Sequence, residues 1–239
     1  MMLMIEWNGV EGVSLIIPKG LELWLSKEGR NIAFHAGNLT KEAVKQNQSI
    51  ELQSRGYSID QLCFLNQVHG DNILKASNSG LLGDGDGIVL DKIGLVGLIM
   101  VADCNPIAVF DKAKRVLVLL HAGRLGVEKG IVFKAFSLLQ REYQSCLSDL
   151  FVYIGPSIRG CCYEVGIEVL SQALERGKIT KERKIYLDLI EVLKEQFKEI
   201  GICDYEIDPL CTCCSGRYFS YRRDRNCGRF GIFASLTEK

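Results

Sequence analysis

Apolar positions in this chain gather into short unbroken runs separated by polar or glycine-rich punctuation. Three runs, 95–102, 116–120 and 150–154, are apolar at successive positions, the pattern of strands buried on both faces. Each ends in a turn signal: Asp103-Cys104-Asn105-Pro106, His121-Ala122-Gly123 and Gly155-Pro156-Ser157. Shorter alternating runs at 14–25 and 62–75 predict strands of an antiparallel or mixed sheet. Elsewhere the period becomes helical. Residues 127–143 put Ile131, Ala135, Phe136, Leu138 and Leu139 on one side. Residues 188–200 open with Asp188 and Glu191 at capping-box spacing, bury Leu189, Leu193, Phe197 and Ile200, and stop at Gly201. A weaker helix over 39–52 would be opened by Asn38 or Thr40. Strands and helices mix without a strict βαβ rhythm, so the expected class is α+β, or mixed-sheet α/β, with layered packing.

Nothing along the chain marks a boundary. There is no internal repeat or low-complexity linker, and the four prolines, at 18, 106, 156 and 209, fall between elements. One domain over 1–239 is expected. A hydrophobic share of 47% against 24% charged is enough to fill its core. Lys+Arg and Asp+Glu are both 29, so the chain lacks the global basic surplus usual in proteins that grip nucleic-acid phosphates. The run 95–102 is the longest apolar stretch and falls well short of the ~20 residues that cross a bilayer. Residues 1–7 lack a basic n-region and are interrupted by Glu6, which argues against a signal peptide. A cytoplasmic protein follows as the expectation, a monomer or weak homodimer. Its ten cysteines then read as reduced thiols rather than disulfides.

Of the three histidines, His121 ends one apolar run, and Cys104 follows another. If the strands 95–102 and 116–120 are parallel neighbours, their carboxyl ends bring thiolate and imidazole together. His69, in Asn66-Gln67-Val68-His69-Gly70, closes a third apolar segment. Two His and one Cys form a three-ligand set with the fourth position open, the arrangement of a catalytic zinc. Spacing alone leaves the structural reading open, because strand-end histidines and buried cysteines commonly serve packing.

Three further motifs bear on chemistry. Gly83-Asp84-Gly85-Asp86-Gly87 lacks the Lys and Ser/Thr of a phosphate loop and the closing Glu of a calcium loop. It reads as a tight turn before a strand at 88–90, with Asp86 able to face the site. Arg217, Arg222, Arg223, Arg225 and Arg229, interleaved with Tyr218, Phe219 and Tyr221, form an anion-binding composition; a solvated edge paired with Asp224 is the alternative. Cys211-Thr212-Cys213-Cys214 holds one C-x-x-C, with Cys203 and Cys227 flanking it, but no second close pair to complete a structural zinc. The adjacent Cys161-Cys162 reads as packing.

Taken in order, these segments resemble one family, the laccase-domain or YfiH-like proteins. The matching pieces are Gln67-Val68-His69-Gly70, Asp86-Gly87-Ile88-Val89, Ala102-Asp103-Cys104-Asn105-Pro106 and His121-Ala122-Gly123. They continue with Gly155-Pro156-Ser157-Ile158, Cys162-Tyr163-Glu164-Val165-Gly166 and Phe219-Ser220-Tyr221-Arg222-Arg223-Asp224. The likeness spans residues 31 to 235. It implies an alpha-beta-beta-alpha sandwich of mixed sheets and a catalytic zinc on His69, Cys104 and His121. The implied activity is purine nucleoside phosphorolysis of adenosine, inosine and S-methyl-5'-thioadenosine, with adenosine deaminase activity; nucleoside and phosphate are the small-molecule partners. Two departures stand out. The family reads His-Ala-Gly-Trp-Arg-Gly where Arg124-Leu125-Gly126 follow Gly123 here, and its amino-terminal Ser-Thr-Arg-x-Gly-Gly segment has no clear counterpart before Asn31.

For such an enzyme, zinc would make water nucleophilic near neutral pH, and that water would displace the purine amino group. Asp86, Arg222, Arg223 and Arg229 are the expected substrate contacts, the arginines holding phosphate. Asp86, Asp103 and Glu164 are the candidate acid/base groups. Three rivals remain: a cysteine hydrolase using Cys104 and His121, a polyphenol oxidoreductase using copper, and an inactive binding module. A four-copper cluster needs about ten imidazoles, and this chain has three.

Overall fold

The apolar runs become the inner strands of two separate sheets. A computed structural model describes residues 16–238; residues 1–7 and the first two positions of the predicted 14–25 strand lie outside the described residues. The strands in chain order are β1 (Leu21–Leu25), β2 (Leu62–Asn66), β3 (Ile73–Lys75), β4 (Gly80–Asp84), β5 (Gly87–Leu90), β6 (Val96–Val101) and β7 (Asn105–Asp111). They continue as β8 (Val116–Ala122), β9 (Leu150–Ile154), β10 (Glu164–Val165), β11 (Lys178–Lys181), β12 (Lys184–Leu187), β13 (Glu206–Ile207) and β14 (Phe230–Leu236). The helices are α1 (Lys41–Gln53), α2 (Arg124–Glu128), α3 (Ile131–Tyr143), α4 (Leu189–Ile200) and α5 (Thr212–Ser215).

One sheet has the order β1-β14-β6-β2-β4, the other β13-β9-β7-β8-β5-β3, and a small antiparallel sheet has β10-β12-β11. Both large sheets are mixed: β2 runs parallel to β4 and β6, while β3/β5 and β9/β13 are the parallel pairs of the second sheet. The two sheets pack face to face through Ile99, Val101, Ile232 and Ala234 on one side and Ala108, Phe110, Leu117 and Leu119 on the other. Val116, Val118 and Leu120, alternating with the last two, face α3 and α4, where they meet Ile131, Phe136, Leu193 and Phe197. The outer face of the first sheet packs Val96, Leu98, Met100 and Phe233 on Leu52 of α1. Layers of helix, sheet, sheet and helix result, an α+β sandwich.

Alternation also decides where the chemistry goes. His121 shares the inter-sheet face of β8 with Leu117 and Leu119. A one-residue slip would turn that whole set outward, and each buried Val, Leu or Phe holds the register by about 1.5–3 kcal/mol.

Local signals explain the helix ends. Thr40 Oγ1 caps α1 through Ala43 N (3.2 Å), Asp188 caps α4 through Ile190 N (3.0 Å), and α4 ends at Gly201. The helix predicted over 127–143 is two helices, because Gly130 takes a left-handed φ of 78° between α2 and α3. The predicted pairing of 95–102 with 116–120 is corrected: β6 and β8 lie in different sheets. The chain crosses between the sheets at 102–104 and returns as β7, whose Asn105 and Pro106 pair antiparallel with Ala122 and His121. No helix among the described residues is long and apolar enough to cross a membrane.

Candidate active site

Cys104 lies at the crossing between the sheets, His121 at the end of β8, and His69 in the turn after β2. Two of these turns depart from ordinary backbone: His69 has φ 58° and Asp103 has φ 87°, both left-handed. Such conformations persist where surrounding bonds hold them. The His69 turn is held by Asp86, whose carboxylate accepts the N–H groups of Val68 (3.3 Å), His69 (3.0 Å) and Gly70 (2.6 Å). The Asp103 turn is held by Thr212 Oγ1 (2.6 Å) and Arg222 N (2.7 Å), both donating to its carboxylate.

Asp86 serves His121 as well. Its Oδ1 lies 2.7 Å from His121 Nδ1, fixing the ring and leaving Nε2 to face Cys104. The ligand atoms of His69, Cys104 and His121 all lie within 4.8 Å of one another, and the two imidazoles meet edge to face. Gly123 is the floor of this cluster. A Cβ there would sit 3.0 Å from Cys104 Sγ, 3.2 Å from His69 Cδ2 and 3.7 Å from His121 Nε2. Gly123 has an extended φ of −72°, so its requirement is space rather than backbone freedom.

The electrostatics follow from these contacts. Burial opposes ionisation of Cys104, but His121 and His69 outweigh it and draw the thiol down to about 6. Burial likewise works against the His121 cation, yet Cys104 and Asp86 raise it to about 9. Burial would raise Asp86, and His121 with the Gly70 and His69 amides brings it below its usual value. Two imidazoles and one thiol converging with a carboxylate behind one ring form a donor set that fits a zinc ion.

The cluster forms one wall of a cleft of about 500 Å³. Arg124, Arg222 and Arg229 line it, together with Tyr163, Tyr221, Gln67 and His35. Arg222 donates to Glu164 O (2.7 Å) and lies 5.2 Å from the Tyr163 ring centre; Arg229 lies 5.8 Å from that of Tyr221. Asn31 ties the Arg229 and His35 segments together, accepting from Arg229 N (2.9 Å) and donating to Ala36 O (2.7 Å). Burial, then Arg229, His69 and His121, keep the His35 pKa below its ordinary value.

The residues singled out from sequence separate into two groups. His69, Cys104, His121, Arg222 and Arg229 line the cleft. Asp86, expected to touch substrate, is 0% exposed and supports His121 instead. Arg223, expected to hold phosphate, turns away. Its guanidinium donates to the carbonyls of Thr212 (2.7 Å), Cys213 (2.8 Å) and Tyr218 (2.6 Å). Glu164 is exposed and paired with Lys184. Arg124, His35, Tyr163 and Tyr221 were not assigned from sequence. Local signals existed for three of them: Arg124 stands three residues after His121, Tyr163 follows Cys162 in a resemblance motif, and Tyr221 adjoins Arg222.

The family model described as multi-copper polyphenol oxidoreductase laccase matches residues 25–237. A purine nucleoside phosphorylase of Clostridium acetobutylicum is 34% identical over 203 residues, covering 82% of this chain and 86% of that protein. The crystal structure of YlmD from Geobacillus stearothermophilus superposes with a TM-score of 0.83 at 27% identity, covering 92% of this chain and 93% of that one. That of Bacillus licheniformis YfiH gives 0.81 at 28% identity, covering 87% and 85%.

Proposed function

The chain belongs to the multi-copper polyphenol oxidoreductase laccase family, and within it we propose a zinc-dependent purine nucleoside phosphorylase that also deaminates adenosine. The observation that carries this reading is the convergence of His69, Cys104 and His121 on a cleft that three arginines also line. It is strengthened by the name of the Clostridium acetobutylicum relative. Adenosine, inosine and S-methyl-5'-thioadenosine are the proposed nucleosides, and the single catalytic domain is placed in the cytoplasm, where its ten unpaired cysteines stay reduced.

Zinc held by His69, Cys104 and His121 would supply a Lewis acid with an open position, the kind of centre that activates water near neutral pH. The chain's own residues do the rest. Asp86 sets the His121 ring and the His69 turn with one carboxylate. Arg222, Arg229 and Arg124 would offer guanidinium donors to a phosphate dianion. Tyr163 and Tyr221 add aromatic surface to the cleft lining, the kind on which a purine would stack. In phosphorolysis, a phosphate oxygen forms the new bond to the sugar carbon as the bond to the purine nitrogen breaks, and the base leaves with a proton. In deamination, water adds at the carbon bearing the amino group and ammonia departs.

A second reading, a cysteine hydrolase, draws on the line from Asp86 through His121 to Cys104. It leaves His69 without a task, and zinc content separates the two. A four-copper oxidoreductase remains short of ligands, with three histidines in the chain. Incubating pure protein with adenosine, with and without phosphate, tests the proposal. Adenine and ribose 1-phosphate should appear only with phosphate, and inosine in both reactions. If adenosine is returned intact in both, the reading fails.

A further inference from the structure

The C-x-x-C at Cys211 and Cys214 lacked a second pair in sequence, and the fold supplies one. The turn after β9 brings Cys161 and Cys162 against α5, about fifty residues further on, so that four sulfur atoms lie within 4.8 Å of one another. Cys161 Sγ is 3.6 Å from Cys162 Sγ and 3.8 Å from Cys214 Sγ. Four thiolates around one zinc at 2.3 Å stand about 3.8 Å apart along the tetrahedron's edges. The two observed separations match the edge of such a tetrahedron, the remaining sulfur pairs lie within 4.8 Å, and all four cysteines are unpaired.

We infer that Cys161, Cys162, Cys211 and Cys214 form a second zinc(II) site, structural in role and separate from the His69–Cys104–His121 cluster.

Three features of the surroundings suit that occupant. Backbone N–H groups of Arg159, Cys213 and Cys214 are directed at Cys211, the hydrogen bonding that thiolate ligands receive in metal centres. Arg159 places a cation beside Cys211, held by Ser157 Oγ (2.9 Å) and the Asp208 carbonyl. It offsets part of the net negative charge that four thiolates around a divalent ion carry. Cys211 is buried while Cys161 and Cys214 are exposed, so the ion has an entry path. An all-sulfur tetrahedral set selects zinc over metals that prefer oxygen or square-planar nitrogen. The thiols give up their protons as the ion binds.

The site would close a junction the backbone has already begun. Ser157 bridges Cys211 in parallel register, and Thr212 N donates to Ser157 O (3.1 Å). Both segments feed the cleft: Cys162 precedes Tyr163, and α5 leads into Tyr221 and Arg222. Zinc there would fasten that wall of the cleft from behind.

The test is metal counting on the full chain, purified without chelator. Wild type should hold two zinc ions per chain by elemental analysis, and the Cys104→Ala chain one. The Cys161→Ser/Cys214→Ser chain should likewise hold one. Exchanging zinc for cobalt(II) in Cys104→Ala isolates the four-cysteine site even if the double variant fails to fold. One equivalent of cobalt should then give sulfur-to-metal charge-transfer absorption and protect four thiols from a thiol reagent. No cobalt spectrum, or four thiols still reactive or joined as disulfides, overturns the inference. Because the Cys104→Ala chain lacks a ligand of the proposed catalytic site, failure there leaves the nucleoside phosphorylase reading untouched.

Discussion

Asp86 Oδ1 stands 2.7 Å from His121 Nδ1 while the same carboxylate takes the amide of His69, so one buried side chain orients two of the three clustered donors. Asp86→Asn keeps the shape but turns an amide N–H₂ toward donors that need an acceptor. Supporting groups of this kind are worth about 10–100-fold in metal affinity. We expect zinc affinity, read by competition with a chromophoric chelator, to fall by that order. An unchanged affinity would show that Asp86 supports the fold alone.

Gly123→Ala tests crowding without touching a donor. The added methyl would sit 3.0 Å from Cys104 Sγ and 3.2 Å from His69 Cδ2, on backbone that alanine adopts freely. Zinc should be lost on the order of 10-fold more readily, with Tm moving by less than about 4 °C. A large Tm drop with zinc retained would locate the clash in the β8–α2 connection instead.

Arg222 and Arg223 are neighbours with opposite assignments. Arg222→Ala should raise the phosphate concentration needed for half-maximal phosphorolysis about 10-fold, since a charge-assisted hydrogen bond contributes about 1.5–3 kcal/mol. Inosine formation, which needs no anion, should change less. Arg223→Ala removes donors from the carbonyls of Thr212, Cys213 and Tyr218 and should lower Tm by several degrees while leaving the phosphate requirement alone. Equal loss of both products in Arg222→Ala would place that arginine at the nucleoside.

The pH dependence of Cys104 can be read in the metal-free protein. His121 and His69 draw its pKa, against burial, down to about 6, so the thiolate is present above that pH and is lost as pH falls through it. Iodoacetamide labelling of Cys104, followed peptide by peptide, should have its midpoint near pH 6. Cys63, pushed up to about 11 by burial, should stay unlabelled throughout the neutral range. A Cys104 midpoint near 9 would mean the imidazoles do not reach it.

Much of this was legible in the sequence, for local reasons. The caps Thr40 and Asp188, the stop at Gly201 and the apolar runs of β6, β8 and β9 each depend on a few adjacent residues. His69, Cys104 and His121 could be grouped because each ends an apolar run. What was hidden depends on distant pairing. The turn chemistry of Asp103-Cys104-Asn105-Pro106 hides the start of β7, whose first two residues are Asn105 and Pro106. Nothing near Cys161 announces that it meets Cys214, and nothing distinguishes Arg222 from Arg223 except which side of one turn each occupies. Asp86 looked like a site-facing acid because a carboxylate behind a ligand and one before it have the same sequence signature.

The position of β14 bears on how the molecule is made. Phe230–Leu236 is not an edge: it lies between β1 and β6, paired antiparallel to both. As the chain emerges from the ribosome, β1 waits without a neighbour and β6 keeps one side unpaired until residues 230–236 have cleared the exit tunnel. The helix-covered second sheet can zip up earlier, since β7, β8 and β9 are consecutive in synthesis. Birth of this protein therefore passes through a half-built stage with two unpaired strand margins, the kind of species that sticks to its own copies. The residues that end that stage follow directly after Arg229, so the last arginine of the cleft and the strand that fills the first sheet arrive together in synthesis.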